Sequence, residues 1–163
     1  MTSTGSATAA MQYQLQYLTG RAGIGDLMDR CLRSLDEGRF DEEWARAFHT
    51  DDVTAEMPIG TLHGRGALRA RVRAGTALFD RTVHLGTNPV IEIDGDRATV
   101  RGAQLSTHVL ADGSKEVFAS AGHTGSAPVR TADGRRTAAT SLRIVRTRGT
   151  PPQVPADLGA PAP

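Results

Sequence analysis

Three Asp-Gly dipeptides, Asp94-Gly95, Asp112-Gly113 and Asp133-Gly134, punctuate the second half of this 163-residue chain. Asp-Gly suits the tight turn between antiparallel strands, because glycine accepts the positive φ that the turn demands. The segments they separate, 82–93, 97–110, 117–130 and 136–148, alternate as strands do. Four long strands joined this way predict an antiparallel meander. Such a sheet has to bury at least one face, and the first half of the chain offers the helices to cover it.

Met11, Leu15 and Leu18 suggest a short helix closed by Gly20. Ile24, Leu27, Met28, Cys31, Leu32 and Leu35 then recur at i, i+3, i+4, i+7, i+8 and i+11, which is one apolar stripe on a helix over about 22–37 stopped by Gly38. Asp41 suits the N-cap of a third helix carrying Trp44, Ala45, Ala47 and Phe48. A short strand over 53–57 and a helix opened by Gly64-Arg65-Gly66, with Leu68, Val72 and Phe79 near one face, complete the half. The expected class is α+β, a cone made of a curved antiparallel sheet with helices packed on its concave face.

Residues 1–10 are small and uncharged and are expected to form a disordered tail. Residues 150–163 carry five prolines and are expected to form a second one. Between them, 11–149 is read as a single domain. Nineteen Lys+Arg stand against 18 Asp+Glu, a balance with no footprint for nucleic acid. Cys31, the one cysteine, permits no intrachain disulfide. No run reaches the ~20 apolar residues of a membrane span, and no signal peptide is read at the start. A cytoplasmic protein from a GC-rich bacterial genome is the expectation.

The strands are rich in small and polar residues. Gly102, Gln104, Ser106, His108, Ser120, Gly122 and Thr124 stand where a solid core would carry Val, Leu or Phe. Either they leave a cavity under the helices, or this face meets solvent or a second subunit. His84 and His108 lie in two such segments, and Asp36 closes the long helix. Imidazole exchanges a proton near neutral pH, so two of them beside an orienting carboxylate make an acid–base site. Each also has a plain structural use, Asp36 as a helix-end group and the histidines as core residues. The trio has the composition of an iron-binding set, but acid–base work explains it without a metal, and no cofactor is expected. His49 and His63 are placed on the surface, and Cys31 in the core.

Arg21-Ala22, Ile24, Asp26-Leu27, then Leu35-Asp36-Glu37-Gly38-Arg39-Phe40-Asp41, then Phe48 with Asp51-Asp52-Val53 resemble the opening of SnoaL-like members of the NTF2-like superfamily. Gly64-Arg65 with Ala67-Leu68, and His84-Leu85-Gly86-Thr87-Asn88-Pro89-Val90-Ile91 followed by Asp94-Gly95-Asp96-Arg97-Ala98, resemble its third helix and first long hairpin. Within the superfamily the Asp36, His84 and His108 pattern is similar to that of scytalone dehydratases, with Leu35 where their pocket has a tyrosine. The resemblance implies a cofactor-independent dehydratase, cyclase or isomerase acting on a polyketide-like or other secondary-metabolite intermediate. His84 would be the proton shuttle, and His108, oriented by Asp36, the second acid–base. Leu35, Trp44, Phe48, Met57, Leu68, Phe79, Gln104, Ser106 and Thr124 are the expected pocket residues. A non-catalytic binding module, or an epoxide hydrolase using Asp36 with Glu56 or Glu92, are the competing readings. The expected partners are a small-molecule substrate and further copies of the chain in a dimer or trimer, not nucleic acid or membrane.

Overall fold

The computed structural model describes residues 3–58 and 60–155. Helix α1 (Ser3–Glu37) leads into α2 (Glu42–Phe48), β1 (His49–Met57), β2 (Gly60–His63) and α3 (Arg65–Thr76). Strands β3 (Phe79–Asp94), β4 (Arg97–Leu110), β5 (Val117–Thr131) and β6 (Gly134–Arg148) follow. They form one curved six-stranded sheet in the order β2-β1-β6-β5-β4-β3, with the helices on one face. The α+β, NTF2-like cone read from the sequence is the observed architecture.

The meander from β3 to β6 is antiparallel throughout, and its turn glycines Gly95, Gly113 and Gly134 all have positive φ. The sheet does not end at the meander. Strand β1 pairs with β6 in parallel, and β2 folds back on β1 as an antiparallel edge. That one parallel pairing carries the chain's first strand to the far side of the sheet, so the two halves share one cone.

The N-terminal half differs from expectation. Gly38 ends the long helix as expected, but Gly20 does not divide it; α1 runs unbroken from Ser3 to Glu37, through Gly20, Gly23 and Gly25. Glycine weakens a helix by about 1 kcal/mol relative to alanine without forbidding it, and here packing repays the deficit. Gly20 approaches Ile93, and the Arg21 guanidinium donates to the Ile91 carbonyl at 3.2 Å. Residues 3–10, expected to be disordered, continue this helix. Met11, Tyr13, Leu15 and Leu18 on it are well exposed. Residues 150–155 form no helix or strand, and 156–163 of the expected second tail lie outside the described residues.

Three apolar clusters hold the layers together. Leu27 of α1 packs with Phe40, Trp44, Ala45 and Phe48, and the Trp44 indole donates to Ser34 Oγ at 2.8 Å. Asp41 caps α2 as expected, accepting from the Trp44 amide. Ile24 meets Ile91, Ala98 and Val100. Leu68 of α3 covers Val53 and Ala55 of β1. Among the described residues no helix is long and apolar enough to cross a membrane.

Two glycines test this packing in opposite directions. A Cβ on Gly122, at the β5 bulge, would run into the Arg143 carbonyl oxygen of β6. Gly122→Ala is therefore expected to lower stability by about 1–3 kcal/mol. Gly23, in mid-helix, has nothing within 4 Å of its would-be Cβ, so Gly23→Ala is expected to raise stability by about 0.5–1 kcal/mol. Thermal melting of the two variants beside the parent reads both.

A candidate acid–base site beside an internal cavity

Successive rungs of the sheet's inner face build the site. Thr82 pairs with His108, His84 with Ser106 and Gly86 with Gln104 across β3 and β4. Strand β5 continues the rungs with Phe118, Ser120 and Gly122. Because side chains alternate along a strand, all of these share one face. Helix α1 runs antiparallel to β3 above it, with Ile24 over Ile91 and Leu32 over Gly86. This brings its last turn, with Asp36, over Thr82 and His84.

Asp36 accepts three hydrogen bonds there. Thr82 Oγ1 donates at 2.8 Å, the His84 amide at 3.2 Å and His84 Nδ1 at 2.7 Å. Burial raises the carboxyl's pKa, but the bonds from His84 and Thr82 outweigh it and hold the group below its ordinary range. An ionised carboxylate only accepts, so His84 carries its proton on Nδ1. In the neutral ring Nε2 then keeps a lone pair, and it has no hydrogen-bond partner among the described residues.

His108 lies one rung below, with its ring centroid 5.2 Å from that of His84 and the rings nearly perpendicular. The imidazole is stacked between Phe79 at 4.3 Å and Phe118 at 6.0 Å. Its Nδ1 donates to the Phe118 carbonyl at 3.3 Å, which leaves Nε2 as an acceptor here too. Burial, and then the neighbouring His84, push its pKa down; the Phe118 carbonyl and Asp36 oppose this without reversing it. The sequence reading had Asp36 orient His108. The structure corrects this: the carboxylate bonds His84, and His108 is positioned by a backbone carbonyl and two phenyl rings.

Immediately above His84 a cavity of about 450 Å³ opens between α1 and the sheet. Leu32, Gly86 and Gln104 line the end nearest His84, and Gln104 donates to the buried Ser106. Asp36, His84 and His108 themselves form the layer just beyond that lining. Of the expected pocket residues, Gln104 and Thr124 line the cavity and Ser106 backs it. Phe79 serves His108 instead. Leu35, Trp44 and Phe48 pack in the cluster between α1 and α2, and Met57 and Leu68 in the one beneath α3. Large apolar side chains gain most by filling core, so the small residues are left to shape the cavity.

One expectation about another residue changes, and one is extended. His49, expected on the surface, is 6% exposed and lines the cavity, and its Nδ1 is buried without a partner. Burial, with the Arg65 guanidinium adding to it, pushes its pKa down to about 4. Cys31 joins the core as expected but also lines the cavity, and burial pushes its thiol up to about 12. The signal for His49 was its place directly after the buried Phe48, where a strand follows a helix. His63 and His123 are exposed. Among the described residues no three His, Cys, Asp or Glu side chains are grouped as a metal would require.

These environments set a pH dependence of stability. A histidine held neutral by burial binds its proton more readily when unfolded, so stability rises with pH between the folded and unfolded pKa values. For His49 the window runs from about 4 to the ordinary ~6.5 and is worth up to about 3 kcal/mol. His49→Gln is expected to flatten the fall in urea midpoint between those limits. Asp36 acts in a lower window. Its contribution is present above the ordinary ~3.9 and is lost as pH falls through its lowered folded value, so the gap between parent and Asp36→Asn is expected to close only there.

Solved structures of similar shape come from several bacteria. A candidate scytalone dehydratase from Novosphingobium aromaticivorans is 21% identical, with a TM-score of 0.75 over 88% of this chain and 99% of its own. A hexachlorocyclohexane dehydrochlorinase, LinA-type3, from Novosphingobium barchaimii is 22% identical, with a TM-score of 0.73 over 87% and 99%. An NTF2-like superfamily protein from Salmonella enterica is 15% identical, with a TM-score of 0.73 over 78% and 92%. At these identities the likeness establishes the fold. No curated protein matches the sequence. Residues 16–147 match the model of the SnoaL-like domain, and the chain belongs to that family.

Proposed function

We propose that the protein is a cofactor-independent lyase that removes a proton next to a carbonyl and expels a β-hydroxyl as water, on a polyketide-like, ring-containing substrate. The observation that carries this is the Asp36–His84 pair, with His84 Nδ1–H fixed on the carboxylate and Nε2 free. That nitrogen is the base: it takes the Cα proton, and Asp36 stabilises the imidazolium that forms. The C–O bond then breaks as the C=C bond forms, and the imidazolium returns the proton to the departing hydroxyl. His108, neutral and held by its phenyl rings, accepts a hydrogen bond from the substrate and keeps it over Nε2. Substrate enters the cavity and displaces Leu32 from Gly86 to reach this layer. Two proteins of similar fold are named for eliminations, a dehydratase and a dehydrochlorinase, which is in keeping with this chemistry. Cyclisation or isomerisation would begin with the same proton removal.

The test is turnover of a bicyclic β-hydroxyketone such as 3-hydroxy-1-tetralone, whose dehydration to 1-naphthol is followed by fluorescence. His84→Ala is expected to lose a factor of about 10²–10⁴. Asp36→Asn should lose less, because its amide oxygen still accepts from Nδ1. Normal turnover in His84→Ala would end the acid–base reading and favour a binding module, or an enzyme that works by holding its substrate in a reactive pose.

The proposal includes self-association through the outer face of the sheet. Val83 and Leu85 of β3 and Leu105 of β4 are each about half exposed there. Leu85 and Leu105 are register partners, so the apolar stripe is continuous across the two strands. Apolar surface of this kind marks an interaction site, and a second copy of the same face is the occupant we assign. Light scattering is expected to give a dimer or trimer for the parent and a lower mass for Leu105→Lys; an unchanged mass would place the interface elsewhere.

A further inference from the structure

The cavity carries one charge, and it stands on the helix that covers it. Gly25, Met28, Asp29 and Leu32 of α1 all line the space. With Asp36 they recur at i, i+3, i+4, i+7 and i+11, so one face of the helix presents two carboxylates. The two lie about 10 Å apart along the helix axis. Asp36 is taken up by Thr82 and His84. Asp29 is exposed at the cavity rim and has no hydrogen bond or ion pair among the described residues. The other acidic residues of α1 are engaged, Asp26 by Arg30 and Glu37 by Arg33.

The surroundings leave that carboxylate unopposed. No Lys or Arg lines the cavity, and burial keeps the one imidazole in the lining, His49, neutral at ordinary pH. Across from the helix, Thr87, Asn88 and Pro89 form the exposed edge of β3 at its bulge, and none of them is charged. Farther in, Met28, Leu32, Ile91 and Val100 supply apolar wall. Apolar walls screen a charge less than water does, so a carboxylate at such a mouth draws cations in and turns anions away. An anionic group would also leave water for walls that offer it no counter-charge. A protonated amine meets its counter-ion at the entrance and keeps part of its water.

We propose that Asp29 is a specificity-determining residue that binds a protonated amine of the substrate at the cavity mouth, while the rest of the molecule reaches toward His84. This rests on the reading of the cavity as the substrate site and narrows the substrate class. The ligand is a ring compound bearing an amine about 10 Å from the Asp36–His84 pair, the separation of the two carboxylates along α1. A cavity of about 450 Å³ holds a two-ring body between those ends. Compounds of the same size that carry a carboxylate or a phosphate in place of the amine bind weakly.

The experiment is calorimetric binding of 6-aminomethyl-, 6-hydroxymethyl- and 6-carboxy-1-tetralone to the whole chain. The three share one ring body and differ in the charge placed far from the ketone. The parent is expected to bind the aminomethyl compound about 1.5- to 5-fold more tightly than the hydroxymethyl one, the range of a solvent-exposed ion pair, and the carboxy compound most weakly. Raising the salt from about 0.05 to 0.5 M should shrink both differences, a result that needs no variant. Asp29→Asn should abolish the order while leaving the affinity for the hydroxymethyl compound unchanged, which a structural role for Asp29 would not do; Asp29→Glu should keep the order. Equal affinities in the parent, an order indifferent to salt, or an order that survives Asp29→Asn would overturn the proposal and leave the cavity reading standing. If none of the three binds, the cavity is not the substrate site and the Asp29 proposal falls with it. The turnover of His84→Ala decides the acid–base reading separately.

Discussion

One carboxylate joins the two halves of this molecule. Asp36 is the last inward-facing residue of α1, and it accepts from Thr82 Oγ1, the His84 amide and the His84 ring on the outermost strand of the meander. The three bonds set the position of the helix end along β3, and Leu32 and Ile24 then fall on Gly86 and Ile91. They also set the His84 tautomer. In the proposed chemistry structural and chemical roles cannot be separated, because the bond that registers helix on sheet is the bond that leaves Nε2 open.

The cavity exists because the sheet is starved of bulk where the helix crosses it. A Cβ on Gly86 would stand 2.6 Å from Leu32 Cδ1, so that side chain would have to move, and Gly102 is crowded by the Thr87 carbonyl at 3.2 Å. Gln104, Thr124, Ser126, Thr137 and Thr140 fill the neighbouring inner positions with short or polar groups. The large residues go where the layers meet: Trp44 and Phe48 between α1 and α2, Leu68 over β1. Phe79 and Phe118 are the exception, spent on either side of His108.

What the sequence revealed follows from the range over which each signal acts. Turns and caps are local, so the Asp-Gly hairpins and the Asp41 cap were legible, and the alternation of Gln104, Ser106 and His108 put all three on one face. The parallel pairing of β1 with β6 leaves no local mark. Without it His49 has no partner strand, so its place after Phe48 could hint at burial but not at Thr137 as its partner. The same gap sent Trp44, Phe48, Met57 and Leu68 to the pocket, since an apolar stripe announces burial and not what it is buried against. The continuity of α1 was missed for a different reason: Gly20 read as a break, and only contact with β3 shows why the helix survives it.

Three histidines of one chain are thus given three characters by their surroundings. His108 and His49 are each driven toward the neutral form by burial, and neither has a carboxylate within bonding distance to counter it. His84 alone is bonded to one. Of the three rings only His84 has a nitrogen, Nδ1, on a fixed negative charge, which leaves Nε2 as its open nitrogen. The other two rings are held toward the neutral form, His108 beside His84 and His49 against Trp44 and Phe48. The elimination proposed for this site, which moves a proton within its substrate, would gain from this division. Only the one imidazole that must become charged has its counter-ion in place before the substrate arrives, and preorganised charge of that kind needs no reorganisation as the reaction proceeds.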